Sequence, residues 1–209
     1  MAAQRKARGD YHHGDLKAAL IETAVAIAED SGIDAISTRE LARRLGVSHA
    51  APARHFPSRE VLLAEVAAEA FDRFGRALAR AAAAASGADV MPAIGRAYVR
   101  FGLDHPALLR LMFRREVSEL DPVPARLQEA SDRAFGVLVS GIRTLLGPHA
   151  SEDKVMQASF AAWSMAHGAV TLWLDGPVRK HLPARGQRAA FLANVDHAIE
   201  IAARTIERM

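Results

Sequence analysis

The sequence predicts an all-α protein. Ala, Leu, Arg and Glu dominate, with only two Tyr and two Trp, and summed propensity over such windows favours helix. No stretch alternates apolar and polar residues between turn signals, as a half-buried strand would. Apolar residues instead recur at helical spacing between caps and breakers.

The elements follow in order. Residues 1–13 carry Arg5, Lys6 and Arg8 without apolar periodicity and are expected to form a basic arm. Leu16, Leu20, Val25, Ile27 and Ala28 support a first helix over 15–31, with Gly32 at its end. Ser37 and Glu40 lie three apart, the spacing of a capping box. They open a short helix bearing Leu41, Ala42 and Leu45, which Gly46 stops. Ser48 is placed to cap a third helix near 49–55, and Pro57-Ser58 precedes a long one from Arg59 to about Ala84. Further helices are expected near 90–103, 106–115, 124–146, 152–174 and 187–208, divided by Gly- and Pro-containing breaks.

The domains expected from these breaks are the arm (1–13), a three-helix helix-turn-helix domain (14–60) and a helical regulatory domain (61–209). The second helix of the motif would project His49, Ala50, Ala51 and Arg54 toward a major groove. Charge agrees with this: residues 37–59 hold five Arg against one acid, Glu40, whereas 19–36 hold four acids and neither Lys nor Arg. A local basic patch suits a polyanion.

Several function classes are excluded or disfavoured. With no Cys, thiolate metal sites, disulfides and Cys nucleophiles are out. The Gly-x-Ser-x-Gly, HExxH, Walker A and Gly-x-Gly-x-x-Gly patterns are absent, so no enzyme activity and no cofactor are expected. His12-His13 has no second cluster to make a metal site. Early charge without a following apolar core argues against a secretory signal, and the Ala81–Ala85 run is too short to span a bilayer. A cytoplasmic protein without membrane contact is expected. A non-specific architectural DNA binder would use the same basic helix but would not need an apolar C-terminal pocket.

The segment Tyr11-His-His-Gly-Asp-Leu-Lys17 with the first helix, and LARRLGVSHAAPARHFPSREVLLAEVA over 41–67, resemble the N-terminal domain of TetR-type regulators. Trp163-Ser-Met-Ala-His167-Gly168 resembles the Trp…His-Gly signature of one TetR subgroup. The resemblance implies a dimeric repressor that binds a double-stranded DNA operator and is released by a small-molecule effector. Thr38 and Arg39, at the start of the second helix, face a phosphate in this reading. Ser48 and His49 start the recognition helix, and His49 has a base edge or a phosphate in reach. Arg54 reaches guanine or phosphate, His55 the backbone. Arg59 stands where members often carry a phosphate-binding Lys. The sequence departs from the family at Ala53, usually a phosphate-touching Tyr, and at Pro52, often Leu. One backbone contact is thereby lost.

In the regulatory domain, Met112, Phe113, Phe135, Trp163 and His167 are the expected effector pocket, an apolar cavity with few polar groups. The wide stripe of Leu192, Val195, Ile199, Ala202 and Ile206, with Trp173 on the preceding helix, is expected to bury one face in the monomer and another across a two-fold axis. Gly168 would permit close helix approach.

Overall fold

The computed structural model describes residues 13–208, with side chains from Leu16 onward. The basic arm, Tyr11 and His12 therefore lie outside the described residues. All regular structure among the described residues is helical: α1 (His13–Ser31), α2 (Thr38–Leu45), α3 (Ala50–His55), α4 (Arg59–Ala83), α5 (Val90–Asp104), α6 (Pro106–Met112), α7 (Arg115–Ser118), α8 (Ala125–Leu146), α9 (Glu152–Leu174) and α10 (Gln187–Glu207), with short 3-10 turns between some of them. The expected 106–115 helix is interrupted after Met112, where Phe113 leaves the α region at φ −111°, ψ 11°. None of these helices is long and apolar enough to cross a membrane.

The chain divides into two compact units, one ending at Val66 and the other beginning at Ala67. The division falls inside α4, a few residues beyond the boundary expected from the sequence.

In the first unit α1 packs on α2 and α3, and α2 on α3. Leu20, Val25, Ile27, Ile36, Leu41 and Phe56 are fully buried. Each such side chain contributes about 1.5–3 kcal/mol of transfer free energy. Ser37 caps α2, its Oγ accepting from the Glu40 amide at 3.2 Å. Gly46 ends α2 at φ 65°, ψ 28°, a left-handed conformation that a Cβ would penalise.

In the second unit α5 is the central helix, touched by α8, α9 and α10, which also touch one another. It is correspondingly apolar, burying Met91, Ile94, Tyr98, Val99, Phe101 and Leu103. Its approach to α9 depends on Gly102: a Cβ there would lie 2.6 Å from Val170 Cγ1 and 3.0 Å from Leu109 Cδ2. Arg96 of α5 pairs with Asp196 and Glu200 of α10, and Arg126 and Arg133 of α8 reach Glu69 and Asp72 of α4. These half-exposed pairs fix side-chain geometry more than they stabilise.

Candidate nucleic-acid interface and ligand cavity

The first unit sorts its arginines into two sets. Arg43 donates through Nε and Nη2 to both oxygens of Glu40, at 2.8 and 2.7 Å. Arg44 donates to the same carboxylate at 3.0 Å and to Asp30 at 3.4 Å. The two guanidiniums hold the Glu40 carboxyl at about 2, down from 4.5, Arg43's hydrogen bond contributing most. Arg59 donates to the Ile33 carbonyl at 3.3 Å and lies 3.7 Å from Asp34. Arg39 and Arg54, by contrast, are exposed and have no hydrogen-bond or ion-pair partner among the described residues. Both present an uncompensated cation.

Arg39 sits in the first turn of α2 beside half-buried Thr38. Exposed His49 is the N-cap of α3, followed by exposed Ala50, while Arg54 and His55 form its last turn. His55 is half-buried, its ring 6.3 Å from Phe56. Ser48 does not cap α3 as expected. The cap position falls on His49 in αR geometry with no side-chain cap bond, and Ser48 contributes only its carbonyl, which accepts from Ala51 N at 3.0 Å. Pro52 is buried as the third residue of α3, where an N–H has no intrahelical acceptor, so proline forfeits nothing. Its own carbonyl closes the helix by accepting from Phe56 N at 2.9 Å.

The second unit holds a partly open cavity of about 270 Å³ walled by parts of α4, α5, α8, α9 and α10 and by Phe113. Phe71, Phe74, Tyr98, Phe113, Phe135, Phe160 and Trp163 line it. These are five of the eight Phe, one of the two Tyr and one of the two Trp in the sequence. Neighbouring rings meet edge-on, Phe74 with Tyr98 at 4.9 Å and Phe135 with Trp163 at 6.0 Å, the arrangement that aromatic quadrupoles favour.

One polar chain crosses this wall. Trp163 Nε1 donates to Tyr98 Oη at 3.3 Å, and Tyr98 Oη lies 2.8 Å from His167 Nδ1. Burial lowers the His167 pKa and raises that of Tyr98, the Trp163 bond opposing the latter in part. Both groups are thus neutral near pH 7, and the imidazole tautomer sets which of them donates in their bond.

Residues 20–66 match the sequence profile of the bacterial regulatory proteins of the tetR family, and residues 91–198 match the tetracyclin repressor-like C-terminal domain. The chain belongs to the tetR family. It is a DNA-binding transcriptional regulator, and α2 and α3 are its helix-turn-helix. A protein with unknown function from Rhodococcus sp. RHA1 is 31% identical to this TetR-family chain, over 96% of it and 98% of that protein, with a TM-score of 0.74. The TetR family regulator PfmR from Thermus thermophilus shares the fold at 21% identity and TM-score 0.61, over 88% and 97% of the two chains. RolR, solved in complex with resorcinol, does so at 21% identity and TM-score 0.58, over 93% and 94%. Among curated proteins none matches the sequence significantly.

The TetR-family cavity gathers some of the expected pocket residues and replaces others. Phe113, Phe135 and Trp163 line it, but Met112 does not; it is buried at the end of α6. His167 is not among the lining residues and meets the wall through its bond with Tyr98. The α10 stripe is the larger correction. Val195, Ile199 and Ile206 are buried within the single chain, so these three are not open to a second copy; Ile199 and Ile206 line the cavity beside half-exposed Ala202. The reason is close packing: Gly95 of α5 brings its backbone against Ile199, whose carbons lie 3.3 Å from where a Cβ would stand. Leu192 is half-exposed, and Trp173 packs on Phe191 at 4.8 Å beneath Arg179. The sequence reading misses Phe71, Phe74 and Tyr98. Their signal is the spacing of Phe71 and Phe74, three apart on one helix face.

Proposed function

We propose that this regulator is a repressor that leaves its operator when a small hydrophobic molecule fills the cavity of the second unit. The observation carrying this reading is the cavity itself. It is an apolar space of about 270 Å³ walled largely by aromatic and aliphatic side chains, and close-packed interiors rarely keep voids larger than a water. The RolR complex with resorcinol supports it, since a protein of this fold takes up a small aromatic. Occupancy can change operator affinity only if the ligand prefers one conformation over another. The activity is binding in the cytoplasm, where the chromosome lies, and not catalysis.

The same reading makes the protein a homodimer on a pseudo-palindromic operator. The faces offered for pairing are the outward sides of α9 and α10. Phe160, Leu172 and Ile201 are 53%, 51% and 50% exposed, and nothing lies within 4 Å of a Cβ placed on Gly168. Arg39, His49, Ala50 and Arg54 are the residues proposed to meet DNA first, with Thr38, Ser48 and His55 beside them. Arg59 must exchange its contacts with Ile33 and Asp34 to join.

Filling the cavity tests the proposal. Ala166 is buried on its wall, and Ala166→Trp places an indole in the void. Operator binding, read by fluorescence anisotropy, should persist, while release by neutral aromatic compounds that act on the wild type should disappear. Release that survives the substitution would move the effector site elsewhere.

A further inference from the structure

We propose that the cavity takes a compact, uncharged bicyclic aromatic that brings one hydroxyl to Tyr98. This rests on reading the cavity as the effector site, and it names the ligand chemistry that the wall selects.

Charge comes first. Among the described residues no Lys, Arg or His lines the cavity; its one ionisable acid, Asp132, is exposed and accepts from Gln128 Nε2 at 2.7 Å. An anion entering would lose its hydration with no cation to replace it. A cation would set its desolvation cost against ring faces, which return part of it, and against a hydrated carboxylate already held by an amide. A neutral molecule carries neither cost.

Size and shape come next. An apolar cavity of about 150 Å³ accommodates one benzene, so about 270 Å³ corresponds to roughly two fused rings. Seven aromatic side chains offer such a plane both faces and edges.

The hydrogen-bond account fixes the polar group. The indole of Trp163 has one N–H, and it is committed to Tyr98. With the imidazole proton on Nε2, the one proton of Tyr98 lies in the bond to His167 Nδ1. The Tyr98–Trp163 pair therefore has no donor left for the cavity, while Tyr98 Oη, held by Trp163 only at 3.3 Å, retains acceptor capacity. The ligand has to supply the proton. A hydroxyl does so; an ether or ketone of the same shape does not.

Titration calorimetry of the full chain decides the matter with four probes of one shape: 2-naphthol, 2-methoxynaphthalene, 2-naphthoate and 2-naphthyl-trimethylammonium. The naphthol should bind most tightly and the methyl ether about five-fold more weakly, the worth of one net hydrogen bond. The naphthoate should bind at least about 100-fold more weakly, as uncompensated desolvation requires, and the ammonium about ten-fold more weakly, since ring faces return part of its cost. In Tyr98→Phe the naphthol and the ether should come within about two-fold of each other. If that variant does not fold, the wild-type series still decides. Equal binding of ether and naphthol to the wild type overturns the hydroxyl assignment. Tighter binding of either ion, lost in Ala166→Trp, overturns the ligand class but leaves the cavity as the effector site. Failure of all four probes to bind sinks both readings.

Discussion

Arg39 and Arg43 stand four residues apart on α2, yet the structure gives them opposite electrostatic status. Arg39 has no partner among the described residues, whereas Arg43 is clasped by both oxygens of Glu40. Arg39→Ala and Arg43→Ala therefore separate a cation available to phosphate from one already neutralised. Each phosphate contact adds about 0.9 to the slope of log affinity against log salt. Two copies on one operator make that about 1.8, so raising salt from about 50 to about 200 mM should cost the wild type about 12-fold more affinity than Arg39→Ala. Arg43→Ala should leave the slope within about half a contact of wild type. Anisotropy titrations of a labelled operator duplex at several salt concentrations measure both. If Arg43→Ala flattens the slope as much as Arg39→Ala, intramolecular pairing does not decide which arginines meet DNA, and the assignment fails.

Three other substitutions probe different parts of the molecule. Gly102→Ala puts a methyl 2.6 Å from Val170 Cγ1, and overpacking costs about 1–3 kcal/mol against about 1 kcal/mol of helix propensity gained. Val170→Ala should relieve the clash, so the double variant should exceed the additive expectation in chemical denaturation by about 1 kcal/mol; strict additivity would contradict the close approach of α5 and α9. Because the folded-state pKa of Glu40 is depressed from 4.5 to about 2, its stabilising contribution is fully present above pH 4.5 and is lost as pH falls toward 2. Thermal unfolding between about pH 6 and about pH 3 should accordingly fall less steeply in Glu40→Gln than in wild type, and identical slopes would deny Glu40 this role. Leu172→Glu together with Ile201→Glu should yield monomer in analytical ultracentrifugation, and a persistent dimer would place pairing on another face.

Much of the fold was legible because its boundaries are written in local chemistry. Ser37 with Glu40, Gly46 and the break at Gly147 mark helix ends by capping and left-handed geometry, which need no tertiary knowledge. The cavity was legible only in part. Tyr98 and His167 lie 69 residues apart, and no local pattern announces their hydrogen bond. The α10 stripe shows why: apolar spacing reports that a face is buried, not whether the burying surface belongs to the same chain. Ile199 and Ile206 face inward because α5 offers Gly95 and a cavity edge. Ser48 misleads for a related reason, since a serine one residue too early lacks the geometry to cap.

The Glu40 clasp also bears on how the protein searches a chromosome. A guanidinium held by a carboxylate releases no counterion from DNA, so Arg43 and Arg44 add little to the attraction every sequence shares. A genome offers on the order of 10⁶ or more competing sites, and each unit of indiscriminate affinity is multiplied across all of them. One glutamate that quiets two arginines thus lowers the background occupancy from which the true site must be told apart.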